Sequence, residues 1–485
     1  MVRIALFVLL VWSPVSLAAS EVEALLWAGR VAEALPAARV EAEAAPSDLA
    51  VHERYIDILL SLGMPSLADA TYRERLARTP DADSHYLLGR AVLTAEEARV
   101  LYHEALKLNP DHARSMMGMG AVHRASGQYD DAIIAYRDAL GIDPRLSEAW
   151  AGLGAALLSL GRVEEALQAA REGMANVPGE ADSYLAVSVL APSEAEDVLR
   201  KAVKHIPDDP RVHAALAEVL LEAGNGRGAR KEATAALDID PGRGDARLSL
   251  MFAESMAQGW LDAEGYRGMV EARGLEEVAP LPARERYDAL VASYPRSPLP
   301  WMGRARSRAS QGDVAGAMED LGAALERDPA NIEAMAAMGL VLLELGRASE
   351  ARPPLKRSAT ERPHDASLAV AAAMAAEASG DRVTALQELE NAGTHFPWDA
   401  RVALTRAKIL ADAGRSEDAY LVLRDAVERL PGDDRLVLSL AAAAKDLGRN
   451  EEAAILMDEL ARRTRNAAFS DLARKLRATA PPTPE

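Results

Sequence analysis

The chain of 485 residues contains no cysteine. A disulfide scaffold, a thiolate metal site, a thiol nucleophile and a lipid-modified cysteine anchor are thereby excluded. Aromatic residues amount to only 4%, so the hydrophobic 49% is mainly aliphatic. Basic charge is also short: 55 Lys and Arg face 74 Asp and Glu, for a net charge of -19. That balance argues against a nucleic-acid sleeve, which needs a basic face to displace counterions. A wholly disordered chain is excluded too, because 27% charge stands beside 49% apolar residues.

Long apolar runs are missing after the first few residues. Arg3 precedes nine apolar residues, Ile4 to Trp12, then Pro14 and the small-residue site Ser16-Leu17-Ala18. Residues 1–18 are expected to be a cleavable signal peptide, cut between Ala18 and Ala19. The apolar run is about half of the ~20 residues that span a bilayer. The mature chain is therefore expected to be exported without a transmembrane segment, to the periplasm by first choice and to the outside by second. The absence of cysteine fits an oxidising compartment.

What the rest of the chain has is a period. Pro110 to Pro144 and Pro144 to Pro178 are each 34 residues, and Pro295, Pro329, Pro363, Pro397 and Pro431 keep the same step. Three intervals differ: 30 residues from Pro80 to Pro110, 29 from Pro178 to Pro207, and 54 from Pro241 to Pro295. Within a unit, apolar residues recur at helical spacing. One unit reads Met116, Met119-Gly120, His123, then Gly127, Ala132, Tyr136, Ala139 and Pro144; the next reads Trp150, Leu153-Gly154, Leu157, then Gly161, Ala166, Ala170, Gly173 and Pro178.

This pattern resembles the tetratricopeptide repeat, in about 13 units from Glu21 to about Asn466. The resemblance implies an all-α fold, a right-handed superhelical solenoid of helical hairpins. Gly120, Gly154 and Gly339 are expected where two helices of a hairpin cross, so Gly154→Val should destabilise. Gly127, Gly161, Gly312, Gly346, Gly380, Gly414 and Gly448 should end first helices in the left-handed conformation. The organisation expected is an N-terminal array over 19–257, an insertion within a repeat at 258–282, a C-terminal array over 283–466, a capping helix at 467–480 and a disordered tail at 481–485. The short intervals read as trimmed hairpins, whose second helices restart at Thr94-Ala95-Glu96 and Pro192-Ser193-Glu194. The insertion is expected to be an extra helix or a loop, with Trp260 and Tyr266 as candidate contact residues.

Catalytic chemistry finds no support in the motifs. No two of the nine histidines stand three or four apart, so no helix turn presents a metal-binding pair. His52, His85 and His213 fall on the large-residue position of their repeats and His123 on the following aromatic one, which assigns them to packing. Gly224-Asn225-Gly226-Arg227-Gly228 falls at an inter-helix turn without a preceding strand or a Lys-Ser/Thr ending, so it is not a phosphate loop. No catalytic residue, cofactor or metal is expected.

First helices line the concave side of such solenoids, the usual binding face. Candidate contact residues there are Met117, Arg124, Leu158, Arg306, Leu340, Leu343, Val370, Met374, Leu404 and Lys408. This aliphatic lining with few charges suits apolar or amphipathic protein segments. The Lys and Asn clamp of chaperone-binding relatives is missing, since Met117, Ala121, Ala151, Ala155, Ala336 and Leu340 occupy those positions. The expected function is a non-enzymatic scaffold of the bacterial envelope for other proteins or peptides, in envelope assembly or polysaccharide export. The alternative is a carrier of a lipid or glycan in the same groove.

Overall fold

A computed structural model describes residues 21–464 and 466–478. The expected signal peptide and C-terminal tail lie outside the described residues. Among the described residues twenty-eight α-helices follow one another, and there is no strand. Helices pair as antiparallel hairpins, and each second helix also packs on the first helix of the next hairpin. The core is therefore a ribbon of nearest-neighbour interfaces, with Ala68, Tyr72, Ala132, Tyr136, Ala166, Leu199, Ala351, Leu355 and Leu389 fully or almost fully buried along it.

The turns follow from the residues that mark them. Gly127, Gly161, Gly312, Gly346, Gly380, Gly414 and Gly448 all have φ between 70° and 90°, the left-handed conformation that ends a helix without a Cβ clash. First helices are capped by Asp48, Asp81, Asn331, Asp365 and Asp433, whose side chains accept backbone N–H groups. Thr94 caps the restarted helix Ala95–Leu108 as expected. Its counterpart differs: Pro192–Glu194 forms a single 3-10 turn with no side-chain cap before helix Ala195–His205. The residue ahead of this turn is Ala191, whose side chain has no oxygen to accept an N–H.

The crossing glycines divide into two kinds. A Cβ on Gly120 would lie 2.8 Å from the Tyr136 ring, and one on Gly339 would run into Leu355. A Cβ on Gly154 would meet nothing within 4 Å, so the expected crowding there is corrected. The place that Tyr136 fills in its hairpin is held by Ala170 in that of Gly154, which leaves the crossing open.

The surplus residues at 258–282 are mostly helical. Asp262 caps helix Ala263–Leu275, which pairs with Pro280–Ser293 to make a hairpin. Helix Gly244–Ala257 is left without a hairpin partner and packs on Pro210–Glu222 and Gly226–Ile239. Ser255 on this lone helix hydrogen-bonds Ser297, the cap of Pro298–Ser310, at 2.9 Å. One cluster of buried side chains runs from Leu199 through Phe252, Tyr266 and Tyr287 to Leu299, so the core is continuous through this stretch. At the far end, helix Ala467–Ala478 covers the last hairpin with Ala473 and Leu476.

Distant turns also meet. Gly432 packs on the carbonyl groups of Leu62 and Gly63, with no room for a side-chain carbon, and Gly29 faces the Asp240 carboxylate. The winding of the solenoid thus brings a turn of the second hairpin against one near the C-terminus.

Candidate functional site

The candidate residues of the inner face lie on first helices, as their register requires. Arg306, Leu340, Met374 and Lys408 succeed one another at 34-residue steps, and all four are exposed. Leu340 keeps 43% and Met374 46% of its surface accessible, and other aliphatic side chains of the array such as Ile134 and Val383 are exposed too. Leu158 is likewise exposed, while Leu343, Val370 and Leu404 are half-buried beside this column. Arg124 is exposed at the end of its helix. Arg306 is held by Glu276 at 2.8 Å and by the Tyr287 hydroxyl at 3.1 Å. Burial would raise the Glu276 carboxyl, but its bonds to Arg306 and Tyr287 outweigh that and hold it below the usual glutamate range.

Two candidates belong to the interior. Met117 is only 5% exposed and packs in the core, so it is corrected from contact residue to packing residue. Tyr266 is 6% exposed, with its ring edge-on to Phe252 at 5.0 Å, and is corrected in the same way. An aromatic side chain at helical spacing from Met269 and Ala272 gains more by closing the core than by facing water. Trp260 is half-buried and lines a cleft of about 370 Å³ between the lone helix and the turns before Pro298, Ile332 and Ala366. Across that cleft Arg247 reaches Asp365 at 3.8 Å, and Arg362 pairs with Glu333. Burial and the nearby Arg247 charge push Arg362 down to about 10.

The N-terminal part of the inner face is not aliphatic. Arg90 bridges Asp57 at 2.8 Å and Glu148 at 2.7 Å, and Arg114 pairs with Glu53 at 2.8 Å. Tyr86 donates its hydroxyl to the same Glu53. Burial raises the Asp57 carboxyl against the opposing pull of Arg90, although half of the side chain is exposed. Sequence reasoning missed this network. The matching intervals from Glu53 to Tyr86 and from Asp57 to Arg90, each 33 residues and one short of the period, were the available clue.

The histidines sort by contact. His52 is 7% exposed, receives a hydrogen bond from Arg75 on Nε2 at 3.1 Å and gives one from Nδ1 to Tyr72 at 2.9 Å. His213 uses both ring nitrogens, toward Glu232 at 2.7 Å and the Pro207 carbonyl at 2.9 Å. His85 is half-buried against the Asp81 carbonyl, and His123 is half-buried against Gln128. His112, unassigned by its register, is a buried helix cap. Among the described residues no group of three His, Asp or Glu side chains is placed to hold a metal ion, and no helix is long and apolar enough to cross a membrane.

Stacked hairpins around an inner face made of first helices define a helical-repeat solenoid. Family models described as tetratricopeptide repeat match residues 95–147, 123–188, 191–251 and 272–432. The chain belongs to the tetratricopeptide-repeat family. Among solved structures it is similar to the APC/C hetero-tetramer Cut9-Hcn1, at 15% identity over 95% of this chain and 97% of that one, with a TM-score of 0.34. It is also similar to Naa15/Naa10 bound to HypK-THB, at 16% identity over 94% and 77%, with a TM-score of 0.35. A third likeness is to YrrB, described as a TPR protein with an unusual peptide-binding site, at 18% identity over 37% and 96%, with a TM-score of 0.28. No curated protein sequence matches the chain.

Proposed function

We propose that this chain is an exported, non-enzymatic scaffold of the bacterial envelope that holds protein or peptide segments along its inner face, in envelope assembly or polysaccharide export. The observation that carries the binding role is the column of Arg306, Leu340, Met374 and Lys408, exposed at matching places on four successive first helices. Two apolar side chains followed by the Lys408 ammonium fit an amphipathic segment, because methionine adapts to irregular partners and the apolar area leaves water on contact. The export half of the proposal rests on residues 1–18.

The test is crosslinking capture of tagged protein from its native envelope, with mass spectrometry of proteins and extractable lipids, beside the variant Leu340→Glu with Met374→Glu. A reproducible set of envelope proteins that is lost from the variant, at unchanged helicity, is the expected result. Equal recovery by both proteins would reject the inner face as the contact surface. A recurrent lipid or glycan in place of protein would replace the scaffold with a carrier.

A further inference from the structure

The outer helices of consecutive hairpins are tied by ion pairs that recur along the array. Arg137 reaches Glu165 at 3.1 Å, Arg171 reaches Glu194 at 2.6 Å, and Arg352 reaches Asp381 at 2.6 Å. In the first two pairs a cation beside the buried outer-helix residue meets a carboxylate just before the next helix's buried alanine, and Arg73 with Glu97 repeats the arrangement.

One step further the ladder breaks, as it also does at His103, Gly322 and Lys356. Arg200 stands in the cation's place, but Gly228 stands where the next carboxylate belongs, with Arg227 before it. Arg200 turns back to Glu196 in its own helix at 2.8 Å. Helices Ala195–His205 and Gly226–Ile239 both pack on Pro210–Glu222, and Leu199 of the first shares a buried cluster with Ala229 of the second. Lys201, Lys204, Arg227 and Arg230 are all exposed there, and among the described residues none has a carboxylate partner. Arg227, Arg230, Lys231, Thr234 and Asp238 share one open face of helix Gly226–Ile239.

We propose that this break in the outer ion-pair ladder is a docking surface for an acidic protein segment. Cations at helical spacing on an open helix face match carboxylates presented by an extended or helical chain. The occupant is protein rather than bilayer or sugar for reasons on the same surface. No large apolar residue between 195 and 239 is exposed to enter a membrane, and that stretch contains no Phe, Tyr or Trp on which a sugar ring could stack. The net charge of -19 sharpens the choice, because an acidic segment is repelled elsewhere and settles only where the sign reverses.

The test uses the full chain and an end-labelled oligoglutamate peptide followed by fluorescence anisotropy. Wild type is expected to bind, with affinity falling as salt is added. Arg227→Glu with Arg230→Glu should weaken binding by at least about tenfold, while Lys356→Glu with Lys445→Glu, an equal charge change elsewhere, should weaken it by less than about twofold. Circular dichroism of both variants separates lost contacts from lost fold. No binding by wild type, or equal losses in the two variants, would overturn the proposal. So would Arg227-dependent binding to phosphatidylglycerol vesicles with none to the peptide.

Discussion

Tyr136 lies in a notch between two glycines, Gly120 of its own hairpin and Gly152 of the next, and Tyr102 sits the same way between Gly89 and Gly118. The ring occupies the space that two methyl groups would take, so one aromatic locks three helices. Alanine at Gly120 should cost on the order of 1 kcal/mol, because overpacking exceeds the gain in helix propensity. Alanine at Gly154, where the space is open, should instead stabilise by about 0.5–1 kcal/mol. Urea midpoints of the two variants check this; shifts of the same sign would refute the distinction. A crossing glycine was legible in the sequence at each place, but its tightness was not, since that depends on whether Tyr136 or Ala170 stands opposite. His52 makes the second residue-scale prediction. Burial, and then Arg75, lower its pKa from 6.5. The unfolded chain therefore takes up the proton first, and stability present above pH 6.5 is lost as pH falls through the lowered value. The slope is at most about 1.4 kcal/mol per pH unit. His52→Gln should be less stable than wild type at pH 7.5 and should lose less between pH 7 and 5; parallel pH profiles would remove His52 as the cause.

Among the elements, the regular hairpins were the most legible, because a proline, a left-handed glycine and small crossing residues each mark one place in the 34-residue unit. Irregular elements were harder. The extra helix is written in Tyr266, Met269 and Ala272, but periodicity does not say which neighbour a helix chooses, and it was Gly244–Ala257 that lost its hairpin partner. The charged stretch of the inner face was hidden for a related reason. The turn at Pro80-Asp81 is one residue shorter than the turn from Pro46 to Asp48, so Arg90 falls off the 34-residue step. Ser297 joins the irregular segment to the array through its cap and its bond to Ser255. Ser297→Ala should cost about 1–2 kcal/mol, the loss of a helix cap. Hydrogen exchange should quicken in both 244–257 and 298–310; a change confined to the second helix would show that the Ser255 bond carries no load.

For the whole molecule, solenoid architecture was readable, but its closure was not. Contact between Leu62-Gly63 and Gly432 is the sum of small rotations over many hairpins, and no short stretch of sequence encodes it. Gly432→Val should part the two turns while leaving each hairpin interface intact. Small-angle scattering should then show a larger radius of gyration at unchanged helicity; an unchanged radius would mean that the two turns do not meet in solution. The same contact has a mechanical consequence. A row of hairpins joined only to neighbours yields to a pull one interface at a time, like a spring with loose ends. With the Leu62-Gly63 turn latched on Gly432, a pull applied between the ends must first open the latch, and only afterwards does the coil extend.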